Sequence, residues 1–532
     1  MLRTPVEANA WPAMQNPVFR MLWIATLVSN IGTWMHEVGA AWLMTSLTTN
    51  PMWVALVQAI TSLSICLLAI PAGALADIID RRRYLIVLQS IMLITAALLA
   101  IITFWGKMTP ELLLFLTFCL GAGAALSVPT WQAIIPEIVS AKDLYSAIIL
   151  NGVAFNISRA VGPACAGIII ALAGSGAVFA INAVSFFGII FALKRWKRTP
   201  SESTLPAERL LGAIRAGIRY VRGTPTLHHV MIKALAFFVF ASSAWALLPL
   251  VARLELKCGP LGFGFLLACL GMGAVIGALI VLRLRRLFDG DQLIFAGALC
   301  FTLTILMLAF FENYISACIA MVLGGIAWLS VISTLNTVAQ QSVASWVRAR
   351  ALSVYLMIFY GSMALGSVFW GWVATHYNIS FSLKIAGLGL LLGNIFTYRM
   401  RLESLQIPDH TPSKDSPAPQ GELSPEHDHG PIMITVEYSV NSENAEAFRR
   451  AIQDLRRIRL REGAFFWTLF QDVENHRKFI ECFMAESWLE HLRYHERVSI
   501  SDRRVQAKVN AFHEGKDRPK VHHFVANELQ RK

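Results

Sequence analysis

From residue 19 to residue 398 the chain alternates between long apolar runs and short polar breaks. The runs fall at 19–46, 52–75, 84–105, 112–128, 147–171 and 177–193, and after a gap at 230–251, 262–282, 293–311, 314–337, 353–374 and 381–398. Each reaches the roughly 17 or more residues that a helix needs to cross a hydrocarbon core. The pattern predicts an all-α membrane protein of about twelve transmembrane helices in two six-helix halves. The first run lacks a short apolar core with a cleavage site and is read as a retained span. Beyond residue 401 the pattern changes. Residues 405–430 are rich in Pro, Ser, Asp and His and read as a flexible linker, with His427 and His429 solvated rather than metal-binding.

From residue 431 the periodicity belongs to a soluble domain. Residues 432–438 are strand-like, and Ala447, Ala451 and Leu455 recur at helical spacing. Residues 465–470 and 478–484 read as a strand pair around Glu474-Asn475, and 488–494 and 503–512 as helices. This β-α-β-β-α order points to a ferredoxin-like α+β soluble domain. The expected organisation is an N-terminal half at 1–193, a central loop at 194–229 and a C-terminal half at 230–401. A linker at 402–430 and a tail domain at 431–532 follow. In the central loop, Leu211, Ile214, Ile218 and Val221 share one face of a helix and Arg215, Arg219 and Arg222 another, which suits a lipid interface.

Composition agrees with a polytopic membrane protein: 55% of residues are hydrophobic and 15% charged. The net charge of +12 does not point to nucleic acid, because the bases sit in the breaks between apolar runs and on one side. With residue 1 in the cytoplasm, that side holds Arg81 to Arg83, Lys142, the dense 194–222 group, Arg283, Arg285, Arg286, Arg348 and Arg350. The opposite side holds Lys107, Arg253 and Lys257. Both termini are thus expected in the cytoplasm. Of the eight cysteines, Cys66, Cys119, Cys165, Cys269, Cys300 and Cys318 fall in apolar runs and none forms a C-x-x-C pair, which argues against a disulfide framework or a zinc site. Neither metal nor cofactor is expected, and with no Walker A pattern neither is ATP-driven transport by this chain.

The two halves echo one another. Gly73-Ala74-Leu75 precedes Arg81-Arg82 by the spacing that separates Gly277-Ala278-Leu279 from Arg285-Arg286, with Val281 where the first copy has Asp77. Parallel repeats place a substrate between halves. Polar groups inside spans are the candidate chemistry, since a charge at mid-bilayer is expensive. Glu37, beside Asn30, Trp34 and His36, is a carboxylate that can alternate between protonated and ionised forms. Asn156, Arg159, Gly162 and Pro163 stand out in the fifth run. For Arg159 two readings remain open: binding an anionic substrate, or pairing with Glu37. Trp245, Asn336, Gln340, Tyr355 and Tyr360 offer aromatic and amide groups from the second half to a partly polar organic ligand.

The 73–83 stretch resembles the loop between helices 2 and 3 of the major facilitator superfamily. Gly73, Leu75, Ala76, Asp77, Arg81 and Arg82 carry the match, while Ile78 and Asp80 depart from it. The run 152–167, through Gly162, Pro163 and Gly167, resembles the Gly-Pro motif of the antiporter branch. The superfamily's fourth span often carries an arginine four residues before a glycine; here Thr117 precedes Gly121, which puts the usual proton relay in doubt and leaves Arg159 as a candidate substitute. Residues 29–34, 73–83, 151–167 and 346–351 are similar to the enterobactin-exporter and transmembrane-secretion-effector branch. The resemblance implies a secondary active exporter of a siderophore or drug-like molecule, working by alternating access and proton antiport in a bacterial inner membrane. It makes Gly73, Asp77, Arg81 and Arg82 a gating motif.

The tail is similar to the dimeric α+β barrels of the antibiotic-biosynthesis monooxygenase type through Glu462-Gly463, Trp467, 470–472, 486–488, His491 and His495. It is expected to regulate or dimerise, with Phe466, Thr468, Ile480 and Cys482 on the open sheet face and His491 and His495 lining a small pocket there. Two rivals stand beside the exporter: an importer of a small metabolite, and a tail enzyme, which is disfavoured because its histidines lack a nucleophile or metal partner. The expected partners are a small-molecule substrate, membrane lipid and the proton gradient.

Overall fold

The computed structural model describes residues 12–140, 142–196, 210–344, 346–402, 430–515 and 517–526. The expected linker, apart from its last residue and Leu402, lies outside these residues, as do 197–209 of the central loop. The chain divides into two units, one of 1–207, 230–337 and 355–403, the other of 208–229, 338–354 and 404–532.

The first unit is a helical bundle. Its helices are α1 (Pro17–Leu47), α2 (Pro51–Ile78), α3 (Arg81–Phe104), α4 (Pro110–Ile138) and α5 (Leu144–Arg195) in the first half. The second half has α7 (Pro225–Leu250), α8 (Pro260–Leu284), α9 (Gly290–Phe310), α10 (Tyr314–Gln341), α11 (Arg348–His376) and α12 (Ile379–Tyr398), after the central helix α6 (Leu210–Arg222). Many begin with a proline in the first turn, where no N–H is needed, and several have a polar cap in front of it. Asn16 accepts from the Val18 and Phe19 amides, Asn50 from Met52 and Thr109 from Leu112, which explains why the apolar runs become helices at those residues.

Among the described residues, ten helices are long and apolar enough to cross a membrane. The 31-residue α1 is not among them, because Arg20, Asn30, His36 and Glu37 dilute its apolar character. The 52-residue α5 covers two of the expected runs. It is broken at Gly174, whose φ of 77° lies in the region open to glycine, so its arms can run in different directions. Connections alternate between an arginine-rich end, with Arg81, Arg285 and Arg348, and an arginine-poor end.

The second unit holds α6, the connection between α10 and α11, and the tail. The tail contains β1 (Ile432–Ser439), α13 (Ala445–Glu462), β2 (Phe466–Gln471), β3 (Lys478–Ala485), α14 (Trp488–Arg497), α15 (Ile500–Asn510) and β4 (Lys520–Val525). The sheet is antiparallel in the order β2-β3-β1-β4. Ile432, Ile434, Val436 and Tyr438 alternate onto the face covered by helices, where they meet Phe448, Ile452, Leu455, Phe483, Trp488 and Val509.

Two features depart from expectation. Strand β4 was not anticipated, since Lys520, His522 and His523 mask its alternation. Helix α15 begins before 503 because Ser499 and Asp502 form a reciprocal cap. Phe466, Thr468, Ile480 and Cys482 share the other sheet face by register, with Phe470 and Phe524 about half exposed beside them. His491 and His495 are not on that face. His491 packs against Phe483 on the helix-covered side.

Candidate transport site

A cavity of about 370 Å³ lies within the bundle and is lined from both halves. Helix α1 contributes Asn30, Thr33, Trp34 and Glu37. These positions are three and four apart, so one helical face carries them all. Helix α5 adds Phe155 and Arg159, and the second half supplies Trp245, Trp328, Phe359 and Tyr360.

Arg159 is only 8% exposed. Its guanidinium lies 5.8 Å from the Trp34 ring centre and 6.0 Å from that of Trp245, so one indole from each half flanks it. Among the described residues its Nε has no hydrogen-bond partner, and neither does the Trp245 indole N–H. Glu37 shares the cavity, yet no ion pair joins it to Arg159 among the described residues. Both nitrogens of His36 also lack a hydrogen-bond partner among the described residues. The walls can therefore offer a charge, indole faces and unfilled donors to a molecule with both aromatic and polar parts.

Not every expected residue is here. Asn156 is exposed and donates back to the Gly152 carbonyl at 2.8 Å. Asn336, Gln340 and Tyr355 lie on α10 and α11 but do not line the cavity. Conversely, Gln58, Thr61, Ser62, Thr117 and Asn182 line it without having been anticipated. Their signal was present, since Gln58, Thr61 and Ser62 sit at helical spacing in an otherwise apolar run. A second omission is Lys233. It is buried in α7, 3.0 Å from Asp291 of α9, and donates to the Thr397 carbonyl at 3.0 Å. Asp291 in turn accepts the Leu402 amide at 2.7 Å.

The halves touch along α2–α11, where the Cys66 thiol meets the Met357 carbonyl, and along α5–α8. Gly162 fits α5 onto α1, because a Cβ there would lie 2.6 Å from that of Trp34. Pro163 has no N–H, which frees the Arg159 carbonyl four residues earlier. That oxygen faces Gly271 of α8, where a Cβ would meet it at 3.1 Å. Gly167 and Gly264 bring the two backbones together a turn away. A short π-helical turn, Val251–Glu255, follows α7. From it Arg253 donates to the hydroxyls of Thr45 at 3.0 Å and Ser46 at 2.8 Å and lies over the Trp42 ring. Thr375 of α11 reaches Asn50 at 3.1 Å.

At the arginine-rich end, Arg81 pairs with Glu137 at 2.7 Å and donates to the Ala133 carbonyl. Arg82 donates to the carbonyls of Leu193 and Lys194, at the end of α5. The motif's two arginines thus engage α4 and α5 of their own half. Gly73 makes no close helix contact among the described residues, since a Cβ there would meet open space.

The profile described as transmembrane secretion effector, a family of the major facilitator superfamily, matches residues 8–531. The chain belongs to that family. It is a multi-pass membrane transporter by family, not an enzyme. The staphyloferrin A transporter of Staphylococcus aureus is 22% identical over 68% of this chain and 90% of its own length. The multidrug efflux pump Tap of Mycolicibacterium fortuitum is 22% identical over 73% of this chain and 97% of its own. Among solved structures, a bacterial homologue of the human lysosomal transporter Spinster, in an inward-facing conformation, superposes with a TM-score of 0.59. It is 14% identical and covers 73% of this chain and 97% of its own.

Proposed function

We propose that this chain is a proton-coupled exporter of a siderophore or drug-like organic molecule in a bacterial inner membrane, with both termini in the cytoplasm. The cavity carries the reading: Glu37 and Arg159 of the first half face Trp245 and Tyr360 of the second. Counting α1 as a span and dividing α5 at Gly174 brings the ten qualifying helices to twelve. The arginine-rich end is then cytoplasmic. Cargo enters from that end, while Arg253, bonded to Thr45 and Ser46, holds the outer end shut. Glu37 takes up a proton when the cavity faces outward and loses it when the cavity faces inward, so proton and cargo exchange. Asp77, Arg81 and Arg82 act as a gating element on the cytoplasmic side rather than as substrate ligands.

The relatives named for staphyloferrin A and for multidrug efflux support cargo of this size and polarity. The tail, with strand order β2-β3-β1-β4, is read as a ferredoxin-like domain of the antibiotic-biosynthesis monooxygenase type. Its open face, with Phe466, Phe470 and Phe524, suits pairing with a second copy.

Inverted and right-side-out vesicles, given a siderophore and drug panel in the outside medium under an imposed pH gradient, test the function. Uptake into inverted vesicles that is lost in Glu37→Gln, with ligand binding retained, is the expected result. Accumulation in right-side-out vesicles alone would make the protein an importer. Undiminished gradient-driven transport by Glu37→Gln would place the proton elsewhere.

A further inference from the structure

The corner of the tail where α13 ends has no role in the transport cycle described above, yet it is built around a contact. Arg461 is held by the carboxylates of Asp502 at 2.8 Å and Glu462 at 2.8 Å. So oriented, its guanidinium lies 5.3 Å from the ring centre of Tyr220 on α6. Gly223, just past the end of α6, backs onto the same arginine, since a Cβ there would lie 2.9 Å from the Arg461 Cβ. Arg219, one residue before Tyr220, is 3.9 Å from Glu486. It also reaches Gly463, whose φ of 142° and missing side chain leave room for the guanidinium.

Tyr220 is completely buried, and burial lifts its phenol to about 12, so it stays neutral. While its ring meets Arg461, its hydroxyl accepts the Ala344 N–H at 3.1 Å and its edge meets Trp346. Gly217, a turn earlier, rests on Arg350. One tyrosine therefore joins three segments far apart in sequence: the end of α13, the central helix, and the connection from α10 to α11. That platform continues directly into α7, α10 and α11.

We propose that the tail docks on the chain's own central helix through Arg461, Gly463 and Glu486, and in doing so holds that helix against the α10–α11 connection as a brake on the transport cycle. The partner is this chain's helix because the surfaces already match: a carboxylate opposite Arg219, Gly223 against the Arg461 stem and Gly463 against the Arg219 guanidinium, and a cation over the one ring that also binds Ala344. A contact made in one arrangement lowers that arrangement's free energy and slows departure from it. Displacing α6 from the connection then requires releasing the tail as well.

Disulfide trapping in the full-length protein tests the docking. Gly223→Cys with Arg461→Cys places two Cβ atoms slightly closer than the ~3.8 Å of an ordinary disulfide, so a small shift closes the bond. With a protease site inserted between residues 403 and 429, oxidised membranes should keep the cut tail attached to the bundle until reductant is added. Neither single variant should do so. Release of the tail without reductant, or a cross-link joining two copies, would overturn the proposal. The brake is read without any cargo, by labelling a cysteine introduced at Gln58 with an impermeant maleimide from outside the cell, against the parent lacking it. Arg219→Glu should raise the labelling rate several-fold, and adding Glu486→Arg should return it to the starting value. An unchanged rate, or no rescue by the double exchange, would sink the brake whichever way the transporter runs.

Discussion

Arg159 in the bundle and Arg459 in the tail are equally buried, each 8% exposed, but their surroundings differ in kind. The Arg459 Nε donates to Glu481 at 3.1 Å, Nη1 to the Tyr494 hydroxyl and Nη2 to Gln506 at 2.9 Å. Glu481, fully buried, also accepts from the Trp467 indole at 3.0 Å and the Tyr438 hydroxyl at 3.2 Å. Arg159 has two indole faces, an unfilled Nε and a cavity. A buried charge whose bonds are all filled specifies a fold, and one left partly unfilled beside a cavity awaits a ligand or a proton.

The largest effect should come from breaking the satisfied site. Glu481→Leu leaves Arg459 buried without its counter-charge, and removing one partner of such a pair costs about 3–5 kcal/mol. Limited proteolysis of the full chain should show the tail cut rapidly while the bundle persists. If the tail resists like the parent, the network is not what holds it. Arg159→Gln should do the reverse. Transport should fall by at least roughly tenfold, equivalent to ~1.4 kcal/mol, with bundle melting nearly unchanged. A large drop in melting temperature would make Arg159 structural and collapse the contrast.

A smaller effect is expected at the outer contact between halves. Arg253→Ala removes two hydrogen bonds to α1, each worth about 1 kcal/mol net. Outside labelling of a cavity cysteine should rise a few-fold, whereas an unchanged rate would exclude Arg253 as a latch.

The mildest test is pH. Burial first, then His495, His523 and Arg459, push His491 from 6.5 down to about 3, and burial with Arg459 and His523 pushes His495 to about 4. The folded tail thus binds fewer protons than the unfolded chain below pH 6.5. Its stability should be full above that pH and decline as pH falls toward 4 and then 3. The proteolysis midpoint should follow this slope, and His491→Asn should flatten it. A tail that becomes more resistant on acidification would reverse the assigned sign.

Much of the bundle was legible because a span announces itself by length, and Glu37, with Asn30 beside it, by being polar within one. Which side of a helix faces the cavity is harder to read: Asn156 and Gln340 are polar residues in helices that turn out to be exposed. Lys233 escaped notice although it lies in an apolar run, because its partner Asp291 belongs to another helix. The Arg459–Glu481 pair was hidden for the same reason, since local periodicity does not report which strand a helix will cover. In the tail, the alternation of β1 was clear and that of β4 was not, because β4 lies at the sheet edge and exposes four of its six residues.

Where α5 crosses α8, the two halves touch backbone to backbone at Gly167 and Gly264. Interlocked side chains must climb over one another before helices can slide, like teeth leaving a gear. Two bare backbones work instead as a bearing, on which the halves can rock without repacking. A methyl group at Gly264 would lie 2.6 Å from the Pro163 carbonyl oxygen and 2.8 Å from the Gly167 Cα, putting a tooth back into it. Gly264→Ala should therefore slow the exchange of cavity access between the two sides while leaving ligand affinity in place, and equal exchange rates would show that the pivot lies elsewhere.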